Sequence, residues 1–254
     1  IDTNGLKCVI VSCGANGGGI HFGFLKEKNG EEVTLYRLQP GDEFGEGALL
    51  VAQINHGGRQ HHAHEIPTVW GPSAIACPQS GGVPHAMTRS EIAEVVEGFA
   101  TAALHAKQAG CAGVEIHGAQ GHLIQQFVSP FSNRREDEYG GSAANRLRFP
   151  KEIIAAIRAR VGRDFIVGYR MGVEEFTPGG ITLEDSKAAA VELAALDAID
   201  YLSLAQGNFN TLDTHLPDAH YDTPAFMDIQ SRFKPVLKGT PVVAGRLIAV
   251  IRKL

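Results

Sequence analysis

The densest group of side chains able to do chemistry is His117-Gly118-Ala119-Gln120-Gly121-His122, directly after the apolar run GVEI. Two imidazoles and an amide supply donors that could converge on one oxygen atom, and the flanking glycines let a backbone approach a ligand. The competing reading is structural, with both histidines satisfying loop carbonyls, and the residues alone leave the two open. A second stretch, Gln53-Ile54-Asn55-His56-Gly57-Gly58-Arg59, ends another apolar run in polar groups. That is costly in a core unless the groups face a pocket or pair with each other. Arg170, closing FIVGYR, repeats the anomaly with a full charge, for which a buried ion pair is the structural alternative. His61, His62 and His64 are ligand types, but no carboxylate or cysteine completes a metal site at a recognised spacing. They are expected to form a solvated loop, and no metal is expected.

The elements that must position these groups are legible. Short β-branched runs recur at Lys7 to Ser12, Leu49 to Asn55, Gly113 to His117, Phe165 to Met171, Tyr201 to Ala205 and Pro241 to Ala244. Each is nearly continuously apolar, as a parallel strand covered on both faces must be. Helical signals lie between most of them. Thr88 with Glu91 forms a capping box, followed by Ile92, Val95, Val96, Phe99 and Ala103 on one face and a stop at Gly110. Phe149, Ile153, Ile157 and Val161 repeat that spacing before Gly162, Thr182 with Asp185 opens a third helix, and Phe226, Ile229, Phe233 and Leu237 predict a fourth.

Strands alternating with helices leave a doubly wound open sheet or a closed barrel. The glycine-rich stretch Gly14-Ala15-Asn16-Gly17-Gly18-Gly19 lacks the GxGxxG spacing and leads into no helical pattern, which points to the barrel. Cys13, Gln53, Asn55, His56, His117, Arg170 and Gln206 also fall at the C-terminal ends of strands, where barrel enzymes place their chemistry. Only six strands are readable, and Ile20 to Gly47 contains no amphipathic helix, so the expected fold is an α/β barrel of the TIM (β/α)8 type, incomplete in this chain.

Composition narrows the function classes. The 254 residues are 44% hydrophobic and 20% charged, which is globular, and the net charge of -5 comes from 28 acidic against 23 basic residues. With no basic block longer than Arg134-Arg135, there is no footprint for nucleic acid or an anionic membrane. No apolar run approaches the roughly 18 residues of a membrane span. Cys8, Cys13, Cys77 and Cys111 make no CxxC pair and read as free thiols of a reducing compartment, with the cytoplasm as the expected location.

Taken in order, QINHGGR, GPSAIA, GVEIHGAQGHLIQQFVSPFSNRREDEYGGSAANRLRF and FIVGYRM resemble the old yellow enzyme family of FMN-dependent NADH:flavin oxidoreductases. The resemblance runs from about Leu49 to Gly207. QGHLIQQF and QGNFNTLDTHLPDAHY look more like the branch of 2,4-dienoyl-CoA reductases and amine dehydrogenases or demethylases than like the short yeast-type enzymes. The resemblance implies one eight-stranded barrel domain, here residues 1–254 in part, holding FMN across its C-terminal mouth, with NADH or NADPH as reductant. It implies that Gln53 hydrogen-bonds the flavin pyrimidine and that Arg170 stabilises negative charge at flavin N1 and O2. Cys13 would pack near the flavin edge, and Gly245 and Arg246, at the end of PVVAG, would begin the phosphate-binding loops. His117 and Gln120 match the substrate-binding pair, where the family has histidine or asparagine at the second position. His122 stands where the family usually has a proton-donating tyrosine.

Two reactions follow from the resemblance. Hydride passes either from reduced flavin to an α,β-unsaturated carbonyl held by His117 and Gln120, with His122 or water as proton donor, or from a C–H beside an amine nitrogen to the flavin. The second tolerates the altered pair better. The expected partner is a small molecule, with neither nucleic acid nor membrane, and a homo-oligomer is compatible with the sequence. The family's first strand, one helix and the last strand with its glycine-arginine loop are not readable, and an iron-sulfur cluster of the 4Fe-4S type would require a longer C-terminal region. These gaps are read as parts of a longer protein omitted from the sequence, the alternative being a shortened, non-catalytic barrel.

Overall fold

The computed structural model describes residues 7–14, 25–28, 31–34, 48–61, 68–211, 214, 228, 231–237 and 239–244, the strands before residue 48 by their backbone alone. Its main sheet has six strands, β1 (Lys7–Gly14), β4 (Ala48–Asn55), β7 (Gly113–Gly118), β8 (Ile166–Gly172), β9 (Tyr201–Ala205) and β10 (Val242–Ala244), all parallel and in that order. Consecutive parallel neighbours with helices between them are the arrangement of a TIM barrel wall. These are the six runs anticipated from the sequence, with ends moved by a residue or two. Between the first two, where no helix is written, the chain forms an antiparallel hairpin, β2 (Leu25–Lys28) with β3 (Glu31–Thr34). A small parallel pair, β5 (Trp70–Gly71) and β6 (His85–Ala86), leads into the first helix.

That helix, α1 (Arg89–Gln108), starts where the capping box dictates: the Thr88 hydroxyl accepts from Glu91 N, and the Glu91 carboxylate takes Thr88 N at 2.7 Å. α5 (Leu183–Ala194) starts the same way with Thr182 and Asp185. The apolar faces of α1, α5 and α4 (Arg148–Val161) close on the outer face of the sheet, burying Ile92, Phe99, Ile153, Ile157 and Leu193 beside Val114, Val167 and Leu202. Each such side chain contributes about 1.5–3 kcal/mol. Two further helices, α2 (Leu123–Val128) and α3 (Ala143–Arg146), are short, and Arg146 of α3 donates to Val128 O at the end of α2 at 2.8 Å.

The expected fourth helix needs correction at its end. Residues 232–236 form turns and not helix, because Pro235 has no N–H to give Ser231 and its ring blocks that carbonyl. Phe233 and Leu237 nonetheless reach the core, while Phe226 and Ile229 lie outside the described residues.

Candidate active site

Alternation along the strands sorts polar from apolar. Ile54, Ile116, Tyr169 and Leu202 are register partners in turn and point out to the helices, so Gln53, Glu115, Gly168 and Tyr201, also partners in turn, point into the barrel. One step nearer the C-terminal mouth, His117 stands opposite Arg170, and Arg170 opposite Ser203.

The lower of these two layers is tightly bonded. Glu115, with 0% exposure, accepts from Gln53 Nε2 at 2.6 Å on one oxygen and from the Tyr201 hydroxyl at 3.0 Å on the other. Gly168 makes this reach feasible, since a Cβ there would overlap the Tyr201 ring. The upper layer is open. Arg170 is half-buried, and its sole hydrogen bond to a described residue is to Ser203 Oγ at 3.3 Å. Burial pushes its guanidinium below the ordinary range, opposed by the Glu115 and Tyr201 charges. The ion-pair alternative for Arg170 is thus met only at a distance: among the described residues no carboxylate touches it, and the nearest influence is Glu115 in the layer below.

The histidine loop folds back on itself. Gln120 and Gly121 take positive φ, 58° and 76°, which reverses the chain and brings His122 beside His117. Their ring centroids are 4.4 Å apart, with Nδ1 of each ring buried and without a hydrogen bond among the described residues. Gln120 sits between them, its carbonyl taking Gln60 Nε2 at 2.9 Å and its own amide without a hydrogen bond among the described residues.

Two adjacent amides of α2 lock this loop to the β4 loop. Gln126 Nε2 donates to Gly57 O at 3.1 Å and Gly121 O at 2.7 Å, while its oxygen accepts from Arg59 N at 3.2 Å. Gln125 accepts from Gly121 N and donates to the buried Glu175, which also takes Ser129 Oγ at 2.5 Å and Ile181 N at 2.8 Å. Arg59, 4% exposed, lies over the Phe131 ring at 5.3 Å and donates to Ala76 O; burial pushes its pKa down, with Cys77 and Glu175 opposing.

Glu115, Tyr201, Gln125, Gln126 and Glu175 are not among the side chains the sequence singled out. Glu115 carried the same signal as Arg170, a charge inside an apolar run, and Gln125-Gln126 interrupt an otherwise apolar helix turn. His61 corrects the solvated-loop expectation. It is half-buried, its Nε2 accepts from Gly57 N at 3.1 Å, and its ring meets His56 edge-on. His62, His64, Gly245 and Arg246 lie outside the described residues, as does the side chain of Cys13, whose backbone pairs in register with Ile54.

A barrel-type parallel sheet that gathers Arg170, Gln53 and two imidazoles toward the C-terminal ends of its strands has the layout in which barrel enzymes take their ligands. Comparison with known proteins gives the family. Residues 43–244 match the NADH:flavin oxidoreductase / NADH oxidase family, and the chain belongs to it. It is 37% identical over 210 residues to the NADH oxidase of Thermoanaerobacter brockii, covering 82% of this chain and 31% of that protein. It is 35% identical over 207 residues to the N,N-dimethylglycine/sarcosine dehydrogenase of Chromohalobacter salexigens, covering 80% and 30%. The solved 2-naphthoyl-CoA reductase complex with 2-naphthoyl-CoA is 30% identical with a TM-score of 0.73 over 82% of this chain and 34% of that one. The chain therefore spans about a third of the length of these relatives. Membership implies FMN, with NADH or NADPH as reductant. The residues present fit that group, because among the described residues Arg170 donates only to Ser203 and Gln53 Oε1 accepts nothing.

Proposed function

We propose that this chain is the FMN-binding barrel of an NAD(P)H-dependent oxidoreductase that reduces an α,β-unsaturated carbonyl compound of the enoate or dienoyl-CoA type. The observation that carries the reading is the pair of imidazoles, 4.4 Å apart, of His117 on the strand beside Arg170 and His122 at the start of α2. FMN, when bound, supplies a site at N5 that takes a hydride from a nicotinamide and gives it to an electrophilic carbon. His117 and Gln120 bind the substrate carbonyl oxygen and stabilise the negative charge that develops on it. His122 holds the proton destined for the neighbouring carbon, an imidazole being able to give one near neutral pH. Gln53 and Arg170 hold the flavin, Arg170 by offsetting negative charge on the ring, with Cys13, Gly245 and Arg246 completing the cofactor contacts.

A second reading is oxidation of an N-methylated amine, favoured by the similarity to a dehydrogenase of N,N-dimethylglycine and sarcosine. It uses the same flavin contacts and no carbonyl clamp. Anaerobic titration of the purified whole protein separates the two. Bleaching by NADH or NADPH and reoxidation by an enone is the expected outcome; bleaching by sarcosine, with enones inert, replaces the first reading by the second.

A further inference from the structure

We propose that Glu115 is a positioning residue that fixes which way round the Gln53 amide stands, so that the barrel mouth offers a flavin pyrimidine edge a carbonyl oxygen and an N–H in a set order. The inference rests on the flavin reading above and deepens it.

Gln53 and Glu115 are directly opposite on neighbouring strands, and Nε2 is 2.6 Å from Glu115 Oε1. The other carboxylate oxygen is held by the Tyr201 hydroxyl at 3.0 Å, so the carboxylate has a donor on each side and no room to swing within a layer where its exposure is 0%. A carboxylate only accepts, whereas an amide has one accepting and one donating end. Rotating the Gln53 amide by half a turn would set its oxygen against a Glu115 oxygen, acceptor facing acceptor, and lose the bond. The hydrogen-bond network therefore decides the orientation. What the amide has left is its oxygen, which takes no hydrogen bond from a described residue, and the second hydrogen on Nε2. That pair matches an imide edge, an N–H beside a carbonyl, and the flavin pyrimidine ring carries one at N3.

A glutamine at position 115 breaks the rule, because its own amide can donate to Gln53 Oε1 as well as accept from Nε2. Both orientations of Gln53 then become satisfied, and the mouth no longer insists on a ligand N–H. Tyr201→Phe removes a bond from the same buried layer but leaves the carboxylate able only to accept.

The test titrates the apoprotein of the whole polypeptide with FMN and with 3-methyl-FMN, in which the N3–H is replaced, following quenching of flavin fluorescence. The wild type is expected to prefer FMN by about tenfold or more. Glu115→Gln is expected to reduce that preference to about threefold or less, and Tyr201→Phe to keep it near the wild-type value. General loosening of the layer would move both variants alike. Equal preference in Glu115→Gln and wild type, or its loss in both variants, overturns the proposal while leaving flavin binding intact. A wild type that takes up neither flavin overturns the flavin reading and this inference with it. Should Glu115→Gln not fold, the wild type still decides: in protein labelled with 15N-glutamine, one Gln53 side-chain proton, assigned by its disappearance in Gln53→Met, is expected to be strongly deshielded and slow to exchange. Two unshifted, rapidly exchanging protons refute the locked amide.

Discussion

The most direct test of the two-layer interior is Gly168→Ala. Gly168 faces into the barrel between Glu115 and Tyr201, and a Cβ there would overlap the Tyr201 ring itself and not the tip of a flexible chain. Tyr201 is 3% exposed, so its ring has no free volume to retreat into. Overpacking of this kind costs about 1–3 kcal/mol. Moving the ring also breaks the 3.0 Å bond to the Glu115 carboxylate. A hydrogen bond to a charged group contributes about 1.5–3 kcal/mol, so the total expected loss is about 3–5 kcal/mol. The assay is urea unfolding in a double-mutant cycle with Tyr201→Ser, whose small side chain removes both the overlap and the bond. In that background Gly168→Ala is expected to cost about 1 kcal/mol or less, giving a coupling of about 2–4 kcal/mol. A loss below about 1 kcal/mol in the wild type, or equal losses in both backgrounds, would refute the claim that Gly168 exists to let Tyr201 reach Glu115.

Replacing His117 by Ala is expected to slow enone-driven reoxidation of the reduced protein about 10²–10³-fold in stopped flow, with flavin binding kept; an unchanged rate would remove His117 from the substrate site. Gln126→Ala strips partners from Gly57 O, Gly121 O and Arg59 N and is expected to cost about 3 kcal/mol in urea unfolding, with faster amide exchange at Arg59. The His56 pKa is pushed down to about 4 by burial and by the neighbouring His61. The unfolded chain therefore takes up a proton near pH 6.5 that the folded one refuses. This histidine's contribution is whole above that pH and is lost as pH falls toward 4, by up to about 3 kcal/mol. Thermal melts between pH 7 and 4.5 are expected to show a shallower acid slope in His56→Gln than in wild type. Gln120→Asn places a residue that tolerates positive φ better at 58° and is expected to raise stability by about 0.5 kcal/mol or leave it unchanged, read by the same melts.

The strands and the two capped helices were legible because each is written locally: a continuous apolar run is a buried strand, and Thr88 with Glu91 names a helix start. The placement of His117, Arg170 and Gln53 at one end of the sheet followed from the same reading, since they close their runs. What could not be read is pairing across the barrel. That Gln53 meets Glu115, and that Tyr201 reaches the same carboxylate over Gly168, depends on inter-strand register, which involves residues 62 and 86 positions apart in the chain. The turn of Gln120 into positive φ is also invisible locally, because glutamine gives no such signal. The broken helix at Pro235 was, by contrast, written in the sequence and outweighed by the spacing of Phe233 and Leu237.

The two layers divide the work of binding. In the lower one the Glu115 carboxylate has a donor on each side, Gln53 Nε2 and the Tyr201 hydroxyl, and Gly168 supplies the space, so that carboxylate is held firmly. Two groups keep hydrogen-bonding capacity among the described residues: Arg170 in the upper layer, with one long bond to Ser203, and the oxygen of Gln53, whose nitrogen is held by Glu115. A half-buried guanidinium with one acceptor among the described residues is unfavourable by itself, and the Glu115 charge beneath it offsets part of that cost. Because the Glu115 oxygens are taken by Gln53 and Tyr201, its charge acts on Arg170 without a hydrogen bond between them. On the proposed flavin reading, an anionic ring edge would meet a guanidinium already partly desolvated by the fold, which lowers the cost of binding it.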